Sequence, residues 1–245
     1  MKKPALVSNR LNRSSESLAG RAYQQIRDEI LRGDLLIGDV LSRRKLAERL
    51  NMSFLPITEA MQRLEAEGLV ESRPRIGTRV RIPTEQDIRN SYVIREALES
   101  QAARLCAEQI TPSEKKLLLT SARHLDDLQR VLSPESEDSR FLFSVHTYHM
   151  QFHLWIAELA RCPGLLSAIE KAQVLVFNWL YDTAAQNNKR PPRFHAMLAE
   201  ALCSGDPIVA DGAMRSHIRD GLPQVLERLA NSEHSDKWRL RSGER

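Results

Sequence analysis

Cysteine is scarce in this chain. Cys106, Cys162 and Cys203 are the only three among 245 residues, and no two stand in a CxxC spacing. That leaves no disulfide framework. It points instead to free thiols on apolar helix faces in a reducing compartment. Long apolar runs are missing too, and none approaches the ~18 residues needed to span a bilayer. Behind Met1-Lys-Lys3 there is no extended apolar stretch of the kind a secretion signal requires, so a cytoplasmic location with no membrane partner is expected. Acidic charge is under-represented at the front: residues 1–83 hold 16 Lys+Arg against 10 Asp+Glu, while residues 84–245 hold 20 against 22. A basic excess confined to a small N-terminal part is what a phosphate-facing module needs, although basic segments also occur in proteins that never meet nucleic acid.

The length allows two domains, one of roughly 80 residues and one of roughly 150. Residues 1–16 are rich in Ser, Asn and Arg and read as a flexible tail. Leu18, Ala22, Ile26 and Ile30 recur every four residues, a helical stripe that Gly33 closes. Ser42 is suited to cap a second helix with Leu46, Ala47 and Leu50 inward, and Asn51 suits the left-handed turn at its end. Ser53 caps a third helix whose inner face is Ile57, Ala60, Met61 and Leu64, stopped by Gly68. A β-hairpin follows. Val70, Val80 and Ile82 face the core, Arg79 and Arg81 face solvent by period-two alternation, and residues 74–77 form the tip. Three helices and a basic hairpin make a winged helix-turn-helix over residues 17–83, with the helix-turn-helix at the tight link between the second and third helices.

Pro83-Thr84 marks a boundary, and Thr84 to Asp87 has the form of a capping box. From there to residue 231 only helices are expected: about 85–109, 111–130 (opened by the capping box Thr111-Pro-Ser-Glu114), 139–161, 164–186, 193–203 and 207–230. Loops are expected at 132–138 and 187–192, and a flexible polar tail at 232–245. Short loops between long amphipathic helices imply an antiparallel bundle. The fold class is therefore mainly α, a winged helix-turn-helix with a small hairpin wing followed by an all-α bundle.

The order of these elements, with Ala60-Met-Gln-Arg-Leu-Glu-Ala-Glu-Gly-Leu-Val-Glu71 at its centre, resembles the GntR family of bacterial transcription regulators. The helical region resembles the FCD ligand-sensing domain of its FadR-like branch, through Ile94-Arg-Glu-Ala-Leu-Glu99, Phe152-His153, Phe194-His195 and His217. The resemblance covers about residues 17–230. It implies a homodimer on a palindromic double-stranded operator, acting as a repressor, not an enzyme. A small metabolite, often a carboxylate, enters the helical domain and changes the spacing of the DNA-binding heads.

The resemblance also assigns residues. DNA is read by an Arg near the start of the second helix, filled here by Arg44 with Arg43 and Lys45 beside it, by the third helix, and by the wing glycine, here Gly77. The third-helix pattern Ser-Arg-Thr-Pro-Val-Arg-Glu-Ala becomes Ser53-Phe-Leu-Pro-Ile-Thr-Glu-Ala60, so Phe54 and Thr58 replace both arginines. Arginine is the usual bidentate partner of guanine, whereas Phe54 and Thr58 are able to meet a thymine methyl or a base edge, so the operator core is expected to differ from a guanine-bearing one. Local packing is the other role open to Phe54. Arg73, Arg75, Arg79 and Arg81 would supply phosphate or minor-groove contacts, unless they form a solvated strand face.

Four of the seven histidines, His149, His153, His195 and His217, stand at informative places. His149 and His153 share one helix face, and an antiparallel bundle is able to bring the other two opposite them. Imidazole nitrogens suit zinc, nickel and similar divalent transition metals, although an i, i+4 pair is more often chance or packing. The resemblance implies a metal held by an Asp four residues before the first His and by a His on each of two later helices. His153, His195 and His217 match, and His149 stands where the Asp would be. That change removes a negative charge and favours an anionic effector. His146 extends the stripe, and His124 and His234 read as surface residues. Arg95 either clamps an effector carboxylate or pairs with Glu99 at i, i+4. Trp155, Phe177, Trp179 and Tyr181 are expected to pack the bundle, with lining an effector pocket as the other role open to some of them. Two other readings compete: a metal-dependent hydrolase with a nucleic-acid head, and a helical dimerisation scaffold that reads no DNA. The first is weakened by the lack of a His-Glu-x-x-His or any general-base Glu beside the histidines.

Overall fold

The computed structural model describes residues 17–31, 34–35, 38–73, 77–131, 139–171 and 191–231. The chain divides after Arg81 into two compact units. The expectations for Gly33, Arg75, Phe177, Trp179, Tyr181, His234, the two tails, the loop 132–138 and the helix beyond residue 171 lie outside the described residues, as does the side chain of His146.

In the first unit, helix α1 (Leu18–Leu31) buries Ala22, Tyr23, Ile26 and Ile30 against α3 (Phe54–Ala66), which turns Ile57, Ala60, Met61 and Leu64 inward. Each fully buried Ile or Leu side chain contributes about 1.5–3 kcal/mol. Helix α2 (Arg43–Leu50) begins at Ser42, whose hydroxyl accepts from the Lys45 N–H, and ends at Asn51 in the left-handed conformation (φ 50°). Ser53 occupies the N-cap of α3, but its side chain makes no capping hydrogen bond. Gly68 follows α3 at φ 73°, the backbone a glycine adopts without a Cβ clash. Tyr23 ties α1 to the end of α3 by donating its hydroxyl to Glu67 at 2.5 Å. Burial and this carboxylate push the phenol up to about 12.

The wing is larger than a hairpin. Strands β1 (Val40–Leu41), β2 (Val70–Arg73) and β3 (Gly77–Val80) form an antiparallel sheet of order β1-β3-β2. A two-residue strand carries too little periodicity to be read from sequence, so only its pairing with β3 reveals β1.

The second unit is a helical bundle. Helix α4 (Glu85–Gln109) opens with the capping box of Thr84 and Asp87, complete in both directions. Helix α5 (Pro112–Val131) opens with Glu114 accepting from the Thr111 N–H and hydroxyl, each at 2.8 Å. Then come α6 (Ser139–Leu159), α7 (Pro163–Lys171), α8 (Phe194–Cys203) and α9 (Pro207–Asn231). Helix α4 runs through the middle, packed by α6, α7, α8 and α9, while α5 packs on α6 and α8. Ala102, Ala157, Ala160 and Ile169 form an apolar cluster between α4, α6 and α7. Gly221 lets α9 approach α4 closely, since a Cβ there would lie 3.1 Å from the Tyr92 hydroxyl. Among the described residues, no helix is long and apolar enough to cross a membrane.

Candidate functional site

The first unit presents the helix-turn-helix. Arg44 on α2 is almost fully exposed and pairs loosely with Glu48 one turn on, at 3.2 Å. Lys45 beside it is also exposed. Arg43 instead turns toward the sheet and donates to the Thr78 hydroxyl at 3.3 Å. At the start of α3, Ser53, Phe54 and Leu55 are exposed, while Thr58 is half-buried and donates its hydroxyl to the Phe54 carbonyl at 3.0 Å. Gly77 has φ +101°, a backbone region strained for any side chain, so the wing position requires glycine. Arg73 is half-buried on β2.

Arg79 is a correction. Alternation put it on the solvent side, but it is buried at 4% exposure and bound to Glu71. The register explains why. Glu71 lies directly opposite Arg79 across β2 and β3, and β1 flanks β3 on its other side with Val40 paired to Arg79. A central strand with an oppositely charged cross-strand partner is able to cover an arginine, where an edge strand leaves it in water. Arg81 follows the last strand and is half-buried.

The second unit gathers the four histidines. His149 and His153 lie one turn apart on α6, His195 is at the start of α8, and His217 is midway along α9. All four are buried, and one ligand nitrogen from each lies within 4.8 Å of the others. His153 Nε2 lies 3.0 Å from His149 Nε2 and 3.3 Å from His217 Nε2. Phe194 stacks on the His217 ring at 4.2 Å, and Phe152 stands edge-on to His153 and His195, fixing the rings from outside.

Among the described residues, Glu99 and Asp126 hold the cluster, and neither was singled out for this role from the sequence. Glu99 on α4 accepts from His153 Nδ1 at 2.7 Å. Asp126 on α5 accepts from His195 Nδ1 at 2.8 Å and from the backbone N–H groups of His195 and Ala196, both at 2.9 Å. Asp126 thus also caps the N-terminus of α8. Burial pushes the pKa of both groups up, but their partners outweigh it. Arg95 and His153 bring Glu99 down to about 2, and hydrogen bonds from His195 and Ala196 hold Asp126 below its usual value. Ionised, each carboxylate keeps the proton of its imidazole on Nδ1 and leaves the Nε2 lone pair facing the cluster.

This donor set suits a divalent transition metal. Lone pairs facing each other across 3.0 and 3.3 Å repel unless a proton or a cation lies between them. Metal–nitrogen bonds of ~2.0–2.1 Å place neighbouring ligand nitrogens about 2.9–3.4 Å apart for octahedral to tetrahedral angles. The carboxylate-held imidazole is also the usual outer support of a metal ligand. Arg95, buried beside the cluster, donates to Glu99 at 2.9 Å and lies 5.1 Å from the Tyr92 ring, so the i, i+4 pairing is present. His124 is exposed and stacks edge-on with Tyr148.

Comparison with known proteins gives the same division. Residues 18–80 match the bacterial regulatory proteins, gntR family, and residues 90–220 match the FCD domain. The "Probable D-xylose utilization operon transcriptional repressor" of Paenarthrobacter nicotinovorans is 30% identical over 225 residues, covering 89% of this chain and 92% of that protein. The HTH-type transcriptional regulator Mce2R of Mycobacterium tuberculosis (strain CDC 1551 / Oshkosh) is 31% identical over 221 residues, covering 80% of this chain and 87% of its own length. The crystal structure of a GntR transcriptional regulator from Rhodococcus sp. RHA1 superposes with a TM-score of 0.67 at 22% identity, over 85% of this chain and 97% of that one. At that identity the superposition speaks for the fold.

Proposed function

The chain belongs to the GntR family and carries an FCD domain, and from that premise we propose that it is a homodimeric repressor whose grip on a palindromic operator is set by a small carboxylate in the helical unit. The family is one of transcription regulators, which removes the hydrolase reading and the scaffold that reads no DNA. The observation that carries the proposal is the convergence of His149, His153, His195 and His217 in a buried cluster braced by Glu99 and Asp126. A pure packing core has no use for four imidazoles aimed at one point.

In this reading the winged unit binds the operator. Arg44 and Lys45 hold phosphates, α3 enters the major groove, and the wing meets the flanking backbone through Gly77, Arg73 and Arg75. Arg43 and Arg79 brace the sheet from within. In the helical unit the four Nε2-side donors hold a zinc, nickel or similar ion. Bound there, the cation supplies the positive charge that draws in an anionic effector. With neutral imidazole where an Asp would have stood, less of that charge is cancelled by the protein. Arg95 is paired with Glu99 at 2.9 Å and so supports the carboxylate that holds His153.

The test is selection of duplexes from a random pool with the purified full chain, followed by binding measurements with metal stripped and with a panel of small carboxylates. A selected palindrome, released by at least one carboxylate only in the metal-loaded protein, is the expected result. Binding that is indifferent to both metal and every carboxylate overturns the sensing half of the proposal. Failure to bind any duplex overturns the whole of it.

A further inference from the structure

We propose that α3 recognises its operator through methyl groups: Phe54 and Leu55, with the Thr58 methyl, contact thymine 5-methyl groups in the major groove. The inference rests on the reading above that the winged unit binds DNA. Phe54 and Leu55 are the first two residues of α3 and are 58% and 66% exposed, two large apolar side chains left in water side by side. Thr58 lies one turn behind Phe54 on the same face, and its hydroxyl proton is already given to the Phe54 carbonyl at 3.0 Å. It therefore offers no donor to a base in this arrangement, and its methyl stands beside an oxygen that is left only to accept.

The rest of α3 points the same way. Its one basic residue is Arg63, whose guanidinium pairs with Glu67 at 3.2 Å and covers the Tyr23 ring at 3.7 Å. Arg63 stands in the last turn of α3, so the leading end of the helix carries no lysine or arginine for the bidentate contact to guanine O6 and N7. The remaining exposed polar side chains, Glu59 and Gln62, suit a cytosine amino group and an adenine edge. DNA, rather than a protein partner, is the occupant that fits this apolar pair. It sits at the start of the second helix of a helix-turn-helix, the part whose side chains meet base edges, and the exposed cations Arg44 and Lys45 on α2 are placed to hold the backbone beside it. A helix with no cation to spend on bases reads the one apolar group the major groove displays.

The experiment uses the full chain and the duplexes it selects from a random pool at low salt. Each thymine is then replaced singly by deoxyuridine, which removes only the methyl. At one or two positions in each half-site the affinity should fall about three- to fourfold, the value of one buried methyl. Phe54→Ala should abolish that difference at one or more of the sensitive positions, binding those thymine and deoxyuridine duplexes alike with the same salt dependence. Phe54→Arg should move the selected base at the contacted position toward guanine. The proposal is overturned if deoxyuridine is tolerated everywhere, or if Phe54→Ala keeps the full deoxyuridine penalty. It is equally overturned if Phe54→Ala alters self-association while leaving the base preference intact, which would make the patch a protein-docking surface. A chain that binds no duplex at all fails at the earlier step, so the two failures are told apart.

Discussion

Asp126 accepts hydrogen bonds from an imidazole and two backbone amides at once, and so sets both the tautomer and the position of His195. Asp126→Asn should lower the affinity for zinc or nickel by about 10- to 100-fold with little loss of helix, measured by competition against a chromophoric chelator. Unchanged affinity would mean that Asp126 only caps α8. Neither Asp126 nor Glu99 is legible as a support from sequence, because each reaches its histidine across 69 or 54 residues. The signal that does exist is chemical: a buried metal-binding imidazole needs an acceptor for its second nitrogen, which directs attention to the acidic residues of neighbouring helices. His149 and His153 are legible as a pair because i, i+4 spacing is local. His195 and His217 join them only through the family pattern.

The wing shows that one residue type plays two parts within one element. Arg44 is exposed on α2, so Arg44→Ala should leave stability within about 0.5 kcal/mol. It should also weaken DNA binding across all sequences and reduce the salt slope by about one. Arg79→Ala does the reverse. It strips Glu71 of its partner inside the sheet and should cost about 1–3 kcal/mol of stability, with the salt slope nearly unchanged. Titration of DNA binding against salt, set beside amide-exchange protection in β2 and β3, separates the two. A lower salt slope for Arg79→Ala would mean that the buried arginine reaches phosphate. The helix ends are where sequence reading succeeds, at Ser42, Asn51, Gly68, Thr84 and Thr111, since a cap depends on residues within about four positions. The burial of Arg79 escapes it because strand alternation knows nothing of the partner strand. Glu71 opposite Arg79 becomes visible only once the register is fixed.

At the scale of the whole molecule, the helical unit should respond to metal and to acid. Zinc or nickel at about a hundredfold above its dissociation constant should stabilise the folded unit by about 2.7 kcal/mol, reversed by chelation and lost in His195→Ala. A melting temperature that ignores both ion and chelator would remove the cluster from consideration as a metal site. The acid response follows from carboxylates held below their ordinary values. Glu96 is lowered by hydrogen bonds from Arg219 and Arg215, and Glu114 by the Thr111 N–H and hydroxyl and by Arg161. Groups of this kind bind a proton less readily folded than unfolded. Their contribution is therefore present above the unfolded value of about 4.3 and is lost as the pH falls through the folded one. Denaturation midpoints of the full chain between pH 6 and pH 3 should fall at the acid end, less so in Glu96→Gln. A midpoint indifferent to pH across that range would show that these pairs carry no stability. The fold class, a small winged helix-turn-helix followed by helices, is legible from the chain, because periodicity and charge both change near residue 83.

Five separate helices contribute to one small volume: α4 through Glu99, α5 through Asp126, α6 through two histidines, α8 and α9 through one each. Such a meeting point behaves as a combination lock for helical phase. One residue inserted into α6 between His149 and His153 rotates everything beyond it by about 100°, and the tumblers no longer align, even where an apolar core would simply repack. The bundle is thus free to drift in sequence over most of its surface, but the number of residues between each helix start and its contribution to the cluster is fixed.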